Sequence, residues 1–198
     1  MRFDMRHRLT AGVAAASAVA IPPTHGFHSF LSTLARSVTD DGCGTGGTCP
    51  DSAVTRGQMA RVLVASRERS GYAPPACVSP RFADVPCRHP FAPWIEALAK
   101  GGVTAGCGGA NYCPERLASR EEIAVLLLRT REGPGFAPPP CSAAAFGDVP
   151  CSSPYAPWIN ELAARSITEG CGGGRYCPLA AVTHKQASSL LLATLGPN

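Results

Sequence analysis

Ten cysteines dominate the reactive side chains of this 198-residue chain, and they form five sequence-local pairs: Cys43/Cys49, Cys77/Cys87, Cys107/Cys113, Cys141/Cys151 and Cys171/Cys177. Neighbouring thiols can close disulfides, hold a soft metal or exchange electrons. Zinc sites usually need four ligands, often with two to four residues between paired cysteines. Here five or nine residues intervene, and no histidine repeats alongside. No Cys-x-x-Cys is present, which argues against redox catalysis. An even number of locally paired cysteines reads as a disulfide framework, and such frameworks belong to oxidising compartments. No metal and no cofactor are expected.

A second set of candidates sits at three predicted helix starts: Thr55-Arg56, Ser119-Arg120 and Thr183-His184. A helix N-terminus attracts anions, and a guanidinium can give a carboxylate two parallel hydrogen bonds. The helix dipole disfavours a cation there, so a recruited anion and a merely solvated arginine both remain open. Trp94 and Trp158 could stack on sugars, but each lies on an apolar helix face and reads as core. Asp84 and Asp148 read as partners of local backbone near a turn, with too few oxygen ligands nearby for calcium. His89 lies in a connector, and His25 and His28 lie in the most degenerate copy of the repeat described next. No Ser/His/Asp set or carboxylate pair stands apart from the repeat, so no catalytic residues are expected and the chain reads as non-enzymatic.

These residues recur at one interval. Cys107 to Cys171, Cys113 to Cys177, Cys77 to Cys141, Phe82 to Phe146, Asp84 to Asp148 and Trp94 to Trp158 are all 64 residues apart, and Cys43 and Cys49 precede Cys107 and Cys113 by the same step. Such regularity marks an internal repeat. Each unit holds two helices. The first begins near a proline, a residue tolerated in a first turn, and its apolar residues are Trp94, Ile95 and Leu98 or Trp158, Ile159 and Leu162. The second opens with a capping box: Thr55-x-x-Gln58, Ser119-x-x-Glu122 or Thr183-x-x-Gln186. Behind each box an i, i+3, i+4 apolar pattern marks a buried face. One helix pair cannot bury both its faces, so neighbouring units must share a core. The predicted divisions are a signal over 1–20, a truncated unit over 24–70, and two full units over 79–134 and 143–198. The first unit lacks the Phe-x-Asp-Val-Pro opening, and its first helix, about Phe27 to Ser37, has no Trp.

The chain carries a formal net charge of +4, of which residues 1–20 contribute Arg2, Arg6, Arg8 and Asp4; the rest is nearly balanced. That leaves no electrostatic case for nucleic acid, which needs a basic stripe to displace counterions. The basic start, the small apolar run from Leu9 to Ile21 and Ala18-Val19-Ala20 fit a cleavable export signal. That run is too short to span a bilayer as a helix, and no membrane span is expected after its removal. A secreted or cell-surface location follows.

The units resemble the S-layer homology (SLH) family in a cysteine-containing variant. The resemblance rests on Phe82-Ala-Asp-Val, Trp94-Ile-Glu-Ala-Leu, Gly102-Val-Thr-Ala-Gly106, Tyr112-Cys-Pro114 and Ser119-Arg-Glu-Glu122, and on Phe146-Gly-Asp-Val, Trp158, Ile167-Thr-Glu-Gly170, Tyr176-Cys-Pro178 and Thr183-His-Lys-Gln186. The first unit keeps Val54-Thr-Arg-Gly-Gln58. The resemblance implies a mainly α fold of three tandem helix-loop-helix units about a pseudo-threefold axis. It also implies attachment to an acidic cell-wall or envelope polysaccharide without catalysis, with Arg56 and Arg120 contacting the sugar. His184 stands where the third arginine belongs, and the glycine loops carry cysteines and no acidic residue. The alternative is a purely structural or protein-interacting secreted repeat protein. No separate cargo domain follows the units, which favours that alternative.

Overall fold

The computed structural model describes residues 50–68 and 72–195. The predicted signal, the first helix near Phe27 to Ser37 and the Cys43/Cys49 pair lie outside them. The described residues are mainly helical, with no β-strand beyond isolated bridges. The helices are α1 (Arg56–Arg67), α2 (Ala92–Lys100), α3 (Arg120–Glu132), α4 (Ala156–Ala164) and α5 (His184–Leu195). The starts of α1, α3 and α5 keep the 64-residue interval, as do those of α2 and α4.

Local chemistry sets these boundaries. Thr55, Ser119 and Thr183 each accept a hydrogen bond from the backbone N–H three residues on, at 3.3, 3.4 and 3.2 Å. The side-chain oxygens of Gln58, Glu122 and Gln186 in turn accept from the cap residue's own N–H. All three predicted capping boxes are formed, and each satisfies two donors that a helix start leaves unpaired. The shorter helices α2 and α4 have no side-chain cap, but carry Pro93 and Pro157 in the first turn, where a missing N–H costs nothing.

The helices pack across unit boundaries. The principal neighbour of α2 is α1, and that of α4 is α3; α3 also touches α1 and α5. One continuous core results. Met59, Leu63, Ile123, Leu127 and Leu191 of the second helices meet Ile95, Leu98, Ile159 and Leu162 of the first helices. Burying each such side chain contributes about 1.5–3 kcal/mol against the entropy of ordering it.

Backbone hydrogen bonds join the segments that precede α1, α3 and α5. The Val54 N–H donates to the Val182 carbonyl at 2.8 Å, Val182 to Ala118 at 3.0 Å, and Ala118 to Val54 at 2.9 Å, which closes a ring. A second set links the same segments in the same order: Arg56 to Arg116, Arg120 to Ala180, and His184 to Ser52. No helix among the described residues is long and apolar enough to cross a membrane.

Four of the predicted disulfides are formed: Cys77–Cys87, Cys107–Cys113, Cys141–Cys151 and Cys171–Cys177. No described cysteine is free. The short loops turn because glycine allows it. Gly106 and Gly170 have φ of +97° and +85°, and a Cβ there would lie 2.3 and 2.2 Å from the carbonyl oxygens of Asn111 and Arg175. Only glycine fits such a position.

Candidate functional site

Arg56, Arg120 and His184 open α1, α3 and α5 and would face water if first-turn position alone decided. They are instead buried, at 3%, 4% and 5% exposure. Arg56 turns inward. Its Nε donates to the Tyr112 carbonyl at 2.9 Å, its guanidinium lies 4.7 Å from the Tyr112 ring centroid, and the Tyr112 hydroxyl donates to the Arg56 carbonyl at 3.0 Å. Arg120 repeats the arrangement with Tyr176, at 2.7, 4.7 and 2.9 Å. Each arginine thus clasps the glycine loop of the next unit. Burial raises the Tyr112 hydroxyl above its ordinary value, and pushes Tyr176 up to about 12 despite the lowering effect of Arg120. Both phenols therefore stay protonated and able to donate at neutral pH.

The two arginines differ in one respect. Arg56 Nη1 donates to Glu122 Oε1 at 2.9 Å. Glu122 also receives Arg116 and completes the Ser119 capping box. Burial raises the Glu122 carboxyl, but the Ser119 N–H and the Arg56 and Arg116 cations outweigh it and hold the group below its ordinary value. Neighbouring Glu121 moves the other way, raised by burial and by Glu122. One unit later, Gln186 stands where Glu122 would be, and its side chain serves its own cap. No carboxylate pairs with Arg120 among the described residues, and its Nη2 is buried without a hydrogen-bond partner. His184 Nδ1 lies 3.0 Å from the Ser52 hydroxyl and 3.1 Å from its carbonyl, and its Nε2 is likewise unpaired.

A groove of about 470 Å³ runs beside this junction. Gly106, Arg116, Ser119, Glu121, Glu122 and Tyr155 line it. Ser119 and Glu121 flank Arg120 in sequence. The predicted hydroxyls Thr55, Ser119 and Thr183 are all engaged in capping. Sequence reasoning reaches Glu122 only as a capping residue and the two tyrosines only as motif residues; it misses Arg116 and the way Glu122 joins it to Arg56. Its available signal was the aromatic-Cys-Pro triplet recurring 56 residues after each arginine.

Asp84 and Asp148 hydrogen-bond backbone as expected, but mainly at a distance in sequence, with Asp148 also taking its own N–H. Asp84 accepts the N–H groups of Tyr112 and Cys113 at 2.8 and 2.7 Å, and Asp148 accepts those of Tyr176 and Cys177 at 2.7 and 2.8 Å. Each carboxylate anchors the far end of its unit's glycine loop. Asp84 lies near Cys107 and Cys113, and Asp148 near Cys171 and Cys177. In both groups the sulfurs are bonded to each other, so neither offers a thiolate to a metal.

Trp94 and Trp158 are half-buried and pack against the edge of the core. Arg61 on α1 lies 5.9 Å from the Trp94 ring centroid, and Arg129 on α3 lies 5.2 Å from that of Trp158. Tyr72 and Phe136 meet the same rings edge-on. The tryptophans thus cement one unit to the previous one. No protein-family model matches the chain, and no curated protein matches it significantly.

Proposed function

We propose that this chain is a non-enzymatic, extracytoplasmic surface module of SLH-like type that associates with an acidic cell-wall or envelope polysaccharide. In this reading its three units, over 24–70, 79–134 and 143–198, surround a pseudo-threefold axis. The ring of hydrogen bonds through Val54, Ala118 and Val182 supports that arrangement. The disulfides support an oxidising compartment.

The observation that carries the glycan reading is the unpaired Nη2 of Arg120. A buried guanidinium with no carboxylate partner costs free energy, and an acidic sugar group would supply the missing charge and acceptor. Arg56 already has Glu122, so Arg120 is the stronger site. His184 adds a second unsatisfied donor or acceptor at the next junction.

Sedimentation with purified wall polysaccharide tests this. Native protein should co-sediment; Arg120→Ala, which also gives up its clasp on Tyr176, should lose at least tenfold in affinity when assayed well below its lowered melting temperature, and Arg56→Ala should lose less. Polysaccharide stripped of its acidic groups should not bind. Binding indifferent to Arg120→Ala and to acid-group removal would reject the site. A purely structural or protein-interacting role is favoured by the full engagement of Arg56 and Asp84 within the fold. It predicts no sedimentation with any fraction of the wall.

A further inference from the structure

The C-terminal helix α5 presents a bare face where its two counterparts are covered. Leu192 is 38% exposed, whereas Val64 on α1 and Leu128 on α3, at the same place in their units, are 7% and 0% exposed. The difference extends along the face. Ser189 is exposed where Arg61 and Val125 are half-buried, and Ala193 is exposed where Ala65 is buried and Arg129 half-buried. The cause is specific. α2 covers α1 and α4 covers α3, but no described helix covers α5.

We propose that the chain's own segment from Phe27 to Ser37 seats on this face of α5. Three observations name that occupant. First, α2 and α4 lie 64 residues apart, and one more step back falls on residues 28–36, where Phe30, Leu31 and Leu34 take the places of Trp94, Ile95 and Leu98. Second, the chain leaves the described region at the right point. Lys185 N–H, in the first turn of α5, donates to the Pro50 carbonyl at 2.9 Å. The equivalent bonds join Gly57 to Pro114 and Glu121 to Pro178. In those two cases the covering helix ends at Lys100 or Ala164, the same number of residues before the proline. Third, the surfaces match by a shared loss. α1 and α3 each reach a tryptophan of their covering helix with an arginine, Arg61 or Arg129. α5 has Ser189 and Ala193 at those two places, and the segment has no tryptophan. An arginine without its ring and a ring without its arginine are both avoided.

The inference rests on the three-unit arrangement but not on glycan binding. Its test places the photo-crosslinker p-benzoylphenylalanine at Ala193 in the full chain, and at Arg129 as a control. Irradiation should join Arg129's position to residues 156–164 and Ala193's position to residues 27–37 of the same molecule. Adducts from Ala193's position between two molecules, adducts elsewhere, or none, with the control intact, would overturn the proposal and leave the unit arrangement standing. Failure of the control as well would overturn both. As a second measurement, Leu31→Asp/Leu34→Asp should speed amide exchange in the peptide spanning α5 by at least tenfold and leave α3 unchanged. Equal exchange in both proteins contradicts the inference.

Discussion

Glu122 carries more than its place in a capping box requires. It caps α3, neutralises the buried Arg56 of the preceding unit and holds the exposed Arg116. Its folded pKa lies below the ordinary 4.5, so its contribution is complete above about pH 4.5 and is lost as pH falls through the lower folded value. Glu122→Gln should cost about 1.5–3 kcal/mol at pH 7, the range of a hydrogen bond to a charged group. In urea melts the gap between variant and native protein should narrow below pH 4.5 and stay constant above it. Asp148 shifts in the same sense and cancels in the difference, whereas the repulsion that raises Glu121 disappears with the Glu122 charge and offsets part of the gap. A gap that ignores pH would mean that Glu122 acts only through its shape. Gly170 supplies a second prediction at this scale. Gly170→Ala places a Cβ against the Arg175 carbonyl and the Phe146 ring. It should destabilise by at least about 1–3 kcal/mol, read as a lower urea midpoint with unchanged slope.

Among the elements, the glycine loops bear the greatest strain and the most covalent support. Cys113 and Cys177 both adopt positive φ, at 60° and 57°, a conformation that costs a non-glycine residue about 1–2 kcal/mol. The Asp84 and Asp148 carboxylates and the local disulfides hold it. Replacing Cys171 and Cys177 with serine should lower stability by about 2–3 kcal/mol, the loop-entropy value for a bridge of this span. Calorimetry would measure it. An unchanged melting temperature would show that Asp148 suffices to fix the loop. The two clefts between adjacent helix pairs also differ. At the second, Arg165 on the end of α4 bridges Glu132 and Glu161 and lies over Phe136. At the first, the corresponding residue is Gly101, and a cleft of about 650 Å³ remains beside Tyr72 and Val64.

For the whole molecule, much of the order was legible in advance. The 64-residue interval located the disulfides and the helix starts, because cysteine pairs and capping boxes are written in residue type. The ring through Val54, Ala118 and Val182 was not legible, because its donors and acceptors are main chain and any residue but proline supplies them. The Arg56–Glu122 pair was hidden for a related reason. It joins different units, and only the packing says which unit's glutamate meets which arginine. Asp84 was assigned to a local turn, whereas the fold takes it 28 residues onward. The candidate cations were found by type and position, but not their burial, since a first-turn residue ordinarily faces water. If the ring holds the units together, the amides of Val54, Ala118 and Val182 should exchange only by global unfolding. Their exchange free energies, measured by NMR, should equal that from denaturant melts. Faster exchange at Val182 alone would mean that the last unit opens independently.

The circular closure of that ring also sets a schedule. The Val54 N–H donates to the carbonyl of Val182, a residue made 128 positions later, and contacts this distant in sequence form slowly. While the chain is being made, its early helices have no completed seat. Packing of α1 on α2, and of α3 on α4, needs only neighbouring stretches of chain, but the ring can close only after the final helix has been made.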